Sequence, residues 1–361
     1  MTQPPPSVAH LIWEGQIGGI ERLVHQMACV QTAAGMRVAV AMGRSVGPFV
    51  QQLAQDRVDV LDLGIASGYD VRPSVVVLTS ACLRQFDVLH VHAFNLPLGI
   101  ATVLSTRPVV FTEHGSFGVG RRLGAPKRRL QRLFLRRPSV TIAANSRFTA
   151  QRIASFYGFT GDKVQVVANG VQFGPAPDQR MRPETPGLVV GFVGRWAEVK
   201  RLDRLLRALA LARRNADVRL ILVGGGPCEE QLRQLAGELG LSQCVEFLGP
   251  RLELDDLIDR MDVIVQTGIE SFGLSIVEAC GRGALPIVFS DGGGAVEVLP
   301  PDGLVVDSVE ALGEALAMLV GTPSLRAEAR ARRAAWTRET FDIRKTVDGY
   351  RGLYERALQG R

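Results

Sequence analysis

Several familiar pieces of chemistry are missing from this chain of 361 residues. It has no Gly-x-x-x-x-Gly-Lys-Ser/Thr phosphate loop, no Gly-x-Ser-x-Gly nucleophile turn and no His/Cys metal cluster. No two aspartates stand one residue apart, so an Asp-x-Asp clasp for a metal-bound nucleotide is missing too. The five cysteines are scattered and never spaced Cys-x-x-Cys, which fits reduced core residues and neither disulfide staples nor zinc ligands. No apolar run reaches the roughly 20 residues that span a bilayer. The start, Met1-Thr2-Gln3-Pro4-Pro5-Pro6, lacks a basic and then an apolar region. No secretory leader is therefore expected, and the expected location is cytoplasmic.

Acidic residues are absent from 114–161, where ten Arg and Lys occur. The net charge of +6 and the pI near 9.4 thus report one basic patch on an otherwise slightly acidic chain. Phe134 is the one aromatic among the basic residues of 121–137, too few to interleave with them, so nucleic-acid binding is not expected. Lysine is scarce: only four of the 42 basic residues are Lys.

What is present is alternation. A short apolar run at 8–13 ends in Glu14-Gly15-Gln16-Ile17-Gly18-Gly19. A helical pattern through Leu23, Val24, Met27, Val30 and Gln31 follows, and then a second strand at 37–41. Further β-rich runs alternate with helical stretches, which predicts parallel sheets with helices on both faces. Residues 174–187 hold four prolines and no apolar period, as a linker would. The expected organisation is an N-terminal Rossmann-like domain over 1–173, the linker, and a second such domain over 188–335. A helical tail over 336–361 offers Trp336, Phe341, Tyr350 and Leu353 for packing back on the N-terminal domain. Two such domains are expected to face across a cleft between the C-terminal edges of their sheets, where ligands of this architecture bind.

The densest motif is Glu270-Ser271-Phe272-Gly273-Leu274-Ser275-Ile276-Val277-Glu278. A helix beginning near Ser275 puts Glu278 one turn in and Glu270 in the loop before it. The N–H groups of Gly273, Leu274 and Ser275 then point outward at the positive end of the helix dipole, where a phosphate can dock. A phosphate cradle with a carboxylate on either side suits a nucleotide-sugar; an ordinary helix cap is the plainer alternative.

Other turns fall at strand ends. Gly18-Gly19 opens the first helix, where paired glycines let a ligand approach the backbone. Gly194-Arg195-Trp196 and then Lys200 place two cations after the first strand of the second domain, suited to a diphosphate. Gly224-Gly225-Gly226-Pro227 and Gly249-Pro250-Arg251 cap two further strands, and both also read as structural turns. His114 follows a strand at 109–113, and His90 and His92 fit hydrogen-bonded structural residues.

Taken together, these residues resemble the retaining glycosyltransferases of family four, with the two-domain GT-B fold. The resemblance runs from Gly18-Gly19-Ile20-Glu21-Arg22 through Asp87-Val88-Leu89-His90-Val91-His92, Thr112-Glu113-His114-Gly115, Asn145-Ser146 and Val167-Ala168-Asn169-Gly170-Val171. It continues through Val193-Gly194-Arg195 with Lys200, Val223-Gly224-Gly225-Gly226-Pro227, Phe247-Leu248-Gly249 and the Glu270–Glu278 block. The resemblance implies that Glu278 binds the nucleotide ribose and that Glu270 lies beside the donor sugar. It likewise implies that Arg195 and Lys200 neutralise the leaving diphosphate, and that His114 approaches the transferred sugar. Gly18, Gly19, Gly224, Gly225, Gly249, Arg251, Phe272, Gly273 and Leu274 complete the implied donor site. The implied reaction moves a hexosyl group from a nucleotide-diphosphate sugar to an acceptor hydroxyl, with retention and without a metal or other cofactor, in bacterial cell-surface glycan or glycolipid synthesis. Two departures stand out: Gln266-Thr267 replaces a frequent Pro-Ser, and Arg201 follows Lys200 where Gly is usual.

The acid-free stretch adds a possible basic amphipathic helix near 126–137, with Lys127, Arg128, Arg129 and Arg132 beside Leu130, Leu133 and Phe134. Such a helix could seat residues 121–137 on an anionic inner-membrane surface, near a saccharide or lipid-linked acceptor. A solvated face or a pocket for an acidic acceptor explains the same residues. Rival readings of the whole chain are a nucleotide-sugar epimerase, a phosphorylase and a non-catalytic nucleotide-sugar-binding protein.

Overall fold

The computed structural model describes residues 5–14, 18–92, 94–115, 125–160, 163–175, 187–251, 253–320 and 323–360, with backbone alone at 125–127 and 323–328. The chain divides into two units, Met1–Gln172 with Ile343–Arg361, and Phe173–Asp342.

The first unit runs β1 (Val8–Glu14), α1 (Gly19–Ala33), β2 (Val38–Arg44), α2 (Pro48–Gln55), β3 (Asp59–Asp62) and α3 (Pro73–Leu83). It continues with β4 (Val88–Val91), α4 (Leu96–Ser105), β5 (Val109–Glu113), α5 (Ala125–Leu135), β6 (Val140–Ala144), α6 (Arg147–Tyr157) and β7 (Val164–Val166). Its seven strands pair in the order β3-β2-β1-β4-β5-β6-β7, all parallel. Helices cover both faces, so the central strands read as continuous apolar runs and not as alternating ones. The order reverses between β1 and β4, and the chain leaves their C-terminal ends in opposite directions, opening a crevice at that edge.

The second unit repeats the plan with β8 (Leu188–Val193), α7 (Leu202–Ala212), β9 (Val218–Val223), α8 (Glu229–Glu238), β10 (Val245–Leu248), α9 (Asp255–Asp259) and β11 (Val263–Gln266). Then come α10 (Leu274–Gly281), β12 (Leu285–Phe289), β13 (Leu304–Val306), α11 (Val309–Val320), α12 (Pro323–Thr340) and α13 (Ile343–Gln359), the last of which belongs to the first unit. The second sheet is ordered β10-β9-β8-β11-β12-β13, with its reversal between β8 and β11. Phe192, Leu205, Leu206, Leu209, Leu222 and Ile287 fill its core.

The C-terminal region divides later than the sequence suggests. Trp336 and Phe341 stack edge-on in the second unit, Phe341 also against Phe272. Only α13 returns to the first unit, where Tyr350, Leu353 and Tyr354 join α1 in one buried cluster. The reason is the arginine content of α12. Arg330 donates to the Met261 carbonyl at 2.9 Å, Arg338 to Gly281 at 2.8 Å, and Arg333 to Gly283. Gly281 and Gly283 lie at the C-terminal end of α10, where helical carbonyls lack partners and cations are favoured. These guanidiniums therefore fix α12 to α10. Of the expected 174–187 linker, residues 176–186 lie outside the described residues.

Arg201 sits in left-handed conformation at φ 50 and ψ 44, just before α7. Its guanidinium pairs with Asp291 at 2.7 Å, and Arg204 joins the same carboxylate at 2.9 Å. Left-handed backbone costs a side-chain-bearing residue about 1–2 kcal/mol, and an exposed ion pair returns less than about 1 kcal/mol. Arg201→Gly should therefore leave stability within about 0.5 kcal/mol of wild type in urea titration, because relieved strain offsets the lost pair and the added chain entropy. Arg201→Val loses the pair and adds the greater strain of a β-branched residue in left-handed backbone, so it should lose about 1–2 kcal/mol; equal losses in both variants would refute this account.

Candidate functional site

The second unit builds its candidate site on the C-terminal ends of β8, β9 and β11. After β8, Trp196 is fully buried and anchors the Gly194–Trp196 turn in the core. The β9–α8 loop lies directly on that turn. A Cβ on Gly224 would come 2.0 Å from the Gly194 carbonyl oxygen, and one on Gly226 would come 2.3 Å from that of Trp196. The Trp196 N–H donates to the Gly225 carbonyl at 2.9 Å, closing the contact. The glycines at 224–226 thus bring two backbones together, which is the structural role left open above. Arg195, next to the buried tryptophan, is exposed, and its guanidinium engages no partner among the described residues.

Lys200 ends a short 3-10 turn, Glu198–Lys200, and donates to Glu270 Oε1. Gln266, the buried last residue of β11, donates to the same oxygen at 2.7 Å. The Thr267 hydroxyl donates to the Lys200 carbonyl at 2.7 Å. Gly268 makes room for this approach, since a Cβ there would meet the Val199 carbonyl oxygen at 2.1 Å. Glu270 itself is held at both backbone groups: its N–H donates to Gly292 at 3.0 Å, and its carbonyl accepts from Gly294 at 2.8 Å. Two of the three positions that depart from the resembled pattern, Gln266 and Thr267, therefore hold the Lys200–Glu270 pair.

Eight residues beyond Glu270 the motif closes on α10. Gly273 adopts φ 100, a left-handed cap that a residue with Cβ would resist. Its carbonyl accepts from Ile276 at 3.0 Å and Val277 at 3.2 Å. The N–H groups of Gly273, Leu274 and Ser275 have no acceptor among the described residues. Three open donors at a helix start form an anion site. Glu278 lies half-buried one turn into α10. The Phe272 ring is buried against Phe341 with centroids 5.8 Å apart. Gly249 and Arg251 are exposed just beyond β10.

In the first unit, Gly18 caps α1 and Gly19 begins it; a Cβ on Gly18 would meet Glu21 Oε2 at 2.6 Å. His114, half-buried, follows β5. Four of the chain's five histidines gather on the sheet face covered by α1 and α13, since His10, His90 and His92 share the parity of Val8 and Val88 in strands paired in register. His114 is 2.9 Å from His92 Nδ1, His92 Nε2 is 2.9 Å from His10 Nδ1, and His10 Nε2 is 2.7 Å from Gln31 Oε1. His90 contacts the Tyr354 hydroxyl at 2.7 Å and Thr112 Oγ1 at 2.8 Å. His90 and His92 have the hydrogen-bonded character expected of them. His10 and Gln31 were not singled out in the sequence, although a histidine inside the apolar run at 8–13 was the available signal.

His10, His90 and His92 bring ring nitrogens within 4.8 Å of one another, the spacing of a metal site. Each of their six ring nitrogens already has a protein partner, so this donor set fits a hydrogen-bonded network better than an ion. Burial pushes His10 and His114 down to about 4, and pushes His90 and His92 well below the ordinary 6.5.

On α5, Arg128 stacks over Phe156 at 5.6 Å and Arg132 is half-buried beside Gly158. Arg129 is exposed, as are Leu130 and Leu133. The side chain of Lys127 and residues 121–124 lie outside the described residues. No helix among the described residues is long and apolar enough to cross a membrane.

Two family models match: "Glycosyltransferase Family 4" over residues 17–173 and "Glycosyl transferases group 1" over residues 178–336. A D-inositol 3-phosphate glycosyltransferase of Acidothermus cellulolyticus is 31% identical over 80% of this chain and 72% of its own length. The enzyme of the same name from Rhodococcus opacus is 34% identical over 60% of this chain, an alignment spanning about half of that relative, 53%. The fold matches the crystal structure of Anabaena Alr3699/HepE in complex with UDP and glucose, with TM-score 0.77, 21% identity and coverage of 95% and 97% of the two chains.

The buried histidines couple stability to pH. Their folded values lie below 6.5, so in acid the unfolded chain binds more protons than the folded one. Their stabilising contribution is whole above pH 6.5 and is lost as pH falls toward about 4, at up to about 1.4 kcal/mol per pH unit for each of the buried rings of His10, His90 and His92 and less for half-buried His114. Urea titrations at pH 7.5, 6.0 and 5.0 should show this decline in the first unit's transition; a flat profile would contradict neutral buried rings.

Proposed function

The chain belongs to the glycosyl transferases group 1 family, and we propose that it moves a hexosyl group from a nucleotide-diphosphate sugar to an acceptor hydroxyl with retention of configuration. Breaking the anomeric C–O bond builds negative charge on the diphosphate and positive charge on the sugar. The observation that carries the reading is the edge of the second unit. There, the Lys200 ammonium and three open N–H groups at the start of α10 are held in place before any ligand arrives, and the exposed Arg195 guanidinium is free to join them. Preorganised donors of this kind do not need to reorganise as charge develops. With these cations the leaving group is neutralised by protein alone, and the reading includes no metal or other cofactor.

In the resting state Lys200 is bound to Glu270. A diphosphate competes for the ammonium and releases the carboxylate to face the donor sugar. Glu278 takes the ribose hydroxyls, Gly249 and Arg251 lie toward the base, and His114 approaches the sugar. Front-face attack by the acceptor hydroxyl then retains configuration. The acceptor is a saccharide or lipid-linked group of a cell-surface glycan or glycolipid, and exposed Arg129, Leu130 and Leu133 of α5 support contact with an anionic membrane surface.

Melting temperature should rise with one of UDP, GDP or ADP. Lys200→Ala should reduce donor turnover by about 10²–10³-fold while the protein stays folded; undiminished turnover in this variant would overturn the assignment. For α5, the protein should float with anionic but not neutral liposomes, and Arg129→Glu with Leu133→Glu should abolish flotation; recovery from neither vesicle would remove the membrane reading.

A further inference from the structure

The histidines of the first unit form a single directed string. Gln31 sets its direction, because an amide has one accepting and one donating end. Oε1 of Gln31 faces His10 Nε2 at 2.7 Å, and its NH₂ faces the Tyr354 hydroxyl at 3.5 Å. His10 must then carry its proton on Nε2 and accept at Nδ1. The proton between His10 and His92 therefore sits on His92 Nε2, which leaves His92 Nδ1 to accept from His114 Nε2–H. On the other side of Gln31, Tyr354 accepts from the amide and donates to His90 Nδ1, His90 Nε2–H donates to Thr112, and Thr112 donates to Tyr350 at 3.1 Å. Seven hydrogen bonds run head to tail with each donor meeting one acceptor, and both tyrosines come from α13. At its outer end the string leaves one ring nitrogen, His114 Nδ1, with no partner among the described residues.

We propose that His92, His10 and Gln31 are positioning residues that hold His114 as its Nε2–H tautomer, so that Nδ1 presents a lone pair to a hydroxyl of the bound sugar. The proposal rests on the reading that His114 approaches that sugar. Its physical content is that the sugar-facing nitrogen is an acceptor and not a donor, fixed before the ligand binds. The opposite polarity would require the Gln31 amide to be turned end for end, with every proton in the string moved across its bond. The same burial that satisfies the string keeps its rings neutral, and a cation at His10, His90 or His92 would also face a neighbour that already donates.

Long-range ¹⁵N–¹H correlation on the full chain labelled at histidine, at pH 7.5, reads the tautomer without reference to activity. The expected spectrum has His114 protonated at Nε2 and bare at Nδ1. Gln31→Leu, which removes the amide at nearly constant size, should turn His114 into a tautomer mixture. With whichever UDP-, GDP- or ADP-sugar supports turnover, kcat of that variant should fall about tenfold while KM for the donor stays within about twofold. A wild-type His114 protonated at Nδ1, or a His114 spectrum untouched by Gln31→Leu, overturns the proposal. A protein that neither binds nor turns over any of the three donors overturns the functional reading instead, whatever the imidazole spectrum shows.

Discussion

The ion pair between Lys200 and Glu270 is the constraint around which the second unit's site is arranged. A lysine and a glutamate at half-buried positions must satisfy each other, because desolvated charge is costly unless paired and hydrogen-bonded. Their surroundings serve that pairing: Gln266 steadies the carboxylate, Thr267 ties down the lysine's own backbone, and Gly268 lets the two loops touch. The pair also stores a cation beside an anion site without exposing either charge. In the proposed reaction, a diphosphate would exchange for the carboxylate by offering the lysine an acceptor while filling the open N–H groups of α10.

The first unit solves a different problem with neutral groups. Four imidazoles on one face of a parallel sheet would be a liability if any polar atom lacked a partner. Here α1 supplies Gln31 and α13 supplies Tyr350 and Tyr354, so every ring nitrogen of His10, His90 and His92 has a partner and only His114 Nδ1, at the outer end, is left open among the described residues. That explains why the last helix belongs to the first unit although nearly all of the second unit precedes it in the chain. The arginines of α12 hold that helix to the second unit, and only after Asp342 is the chain free to return.

Much of the fold and of the candidate site was legible from local pattern. Apolar runs alternating with helical periods specify parallel sheets with covered faces, because hydrophobic spacing is a property of neighbouring residues. Glycines at strand ends and the Glu270–Glu278 spacing marked the loops that matter, because turns and helix starts are also local. Proline density placed the domain division close to where the units part, at Gln172 and Phe173. The register of the tail was missed: Trp336 and Phe341 looked free to pack on the N-terminal domain, yet they stack in the second unit.

The chain's own order of residues thus determined which segments become strands, which turns carry glycine and where cations follow a strand. Only tertiary structure decided that Lys200 meets Glu270 across 70 residues, that Gln266 and Thr267 support them, and that Gln31 and Tyr354, 323 residues apart, share one hydrogen bond. Those pairings depend on strand order and register, which bring distant residues to adjacent positions. No local periodicity encodes which strand will lie beside which, because that choice is made by the packing of whole sheets.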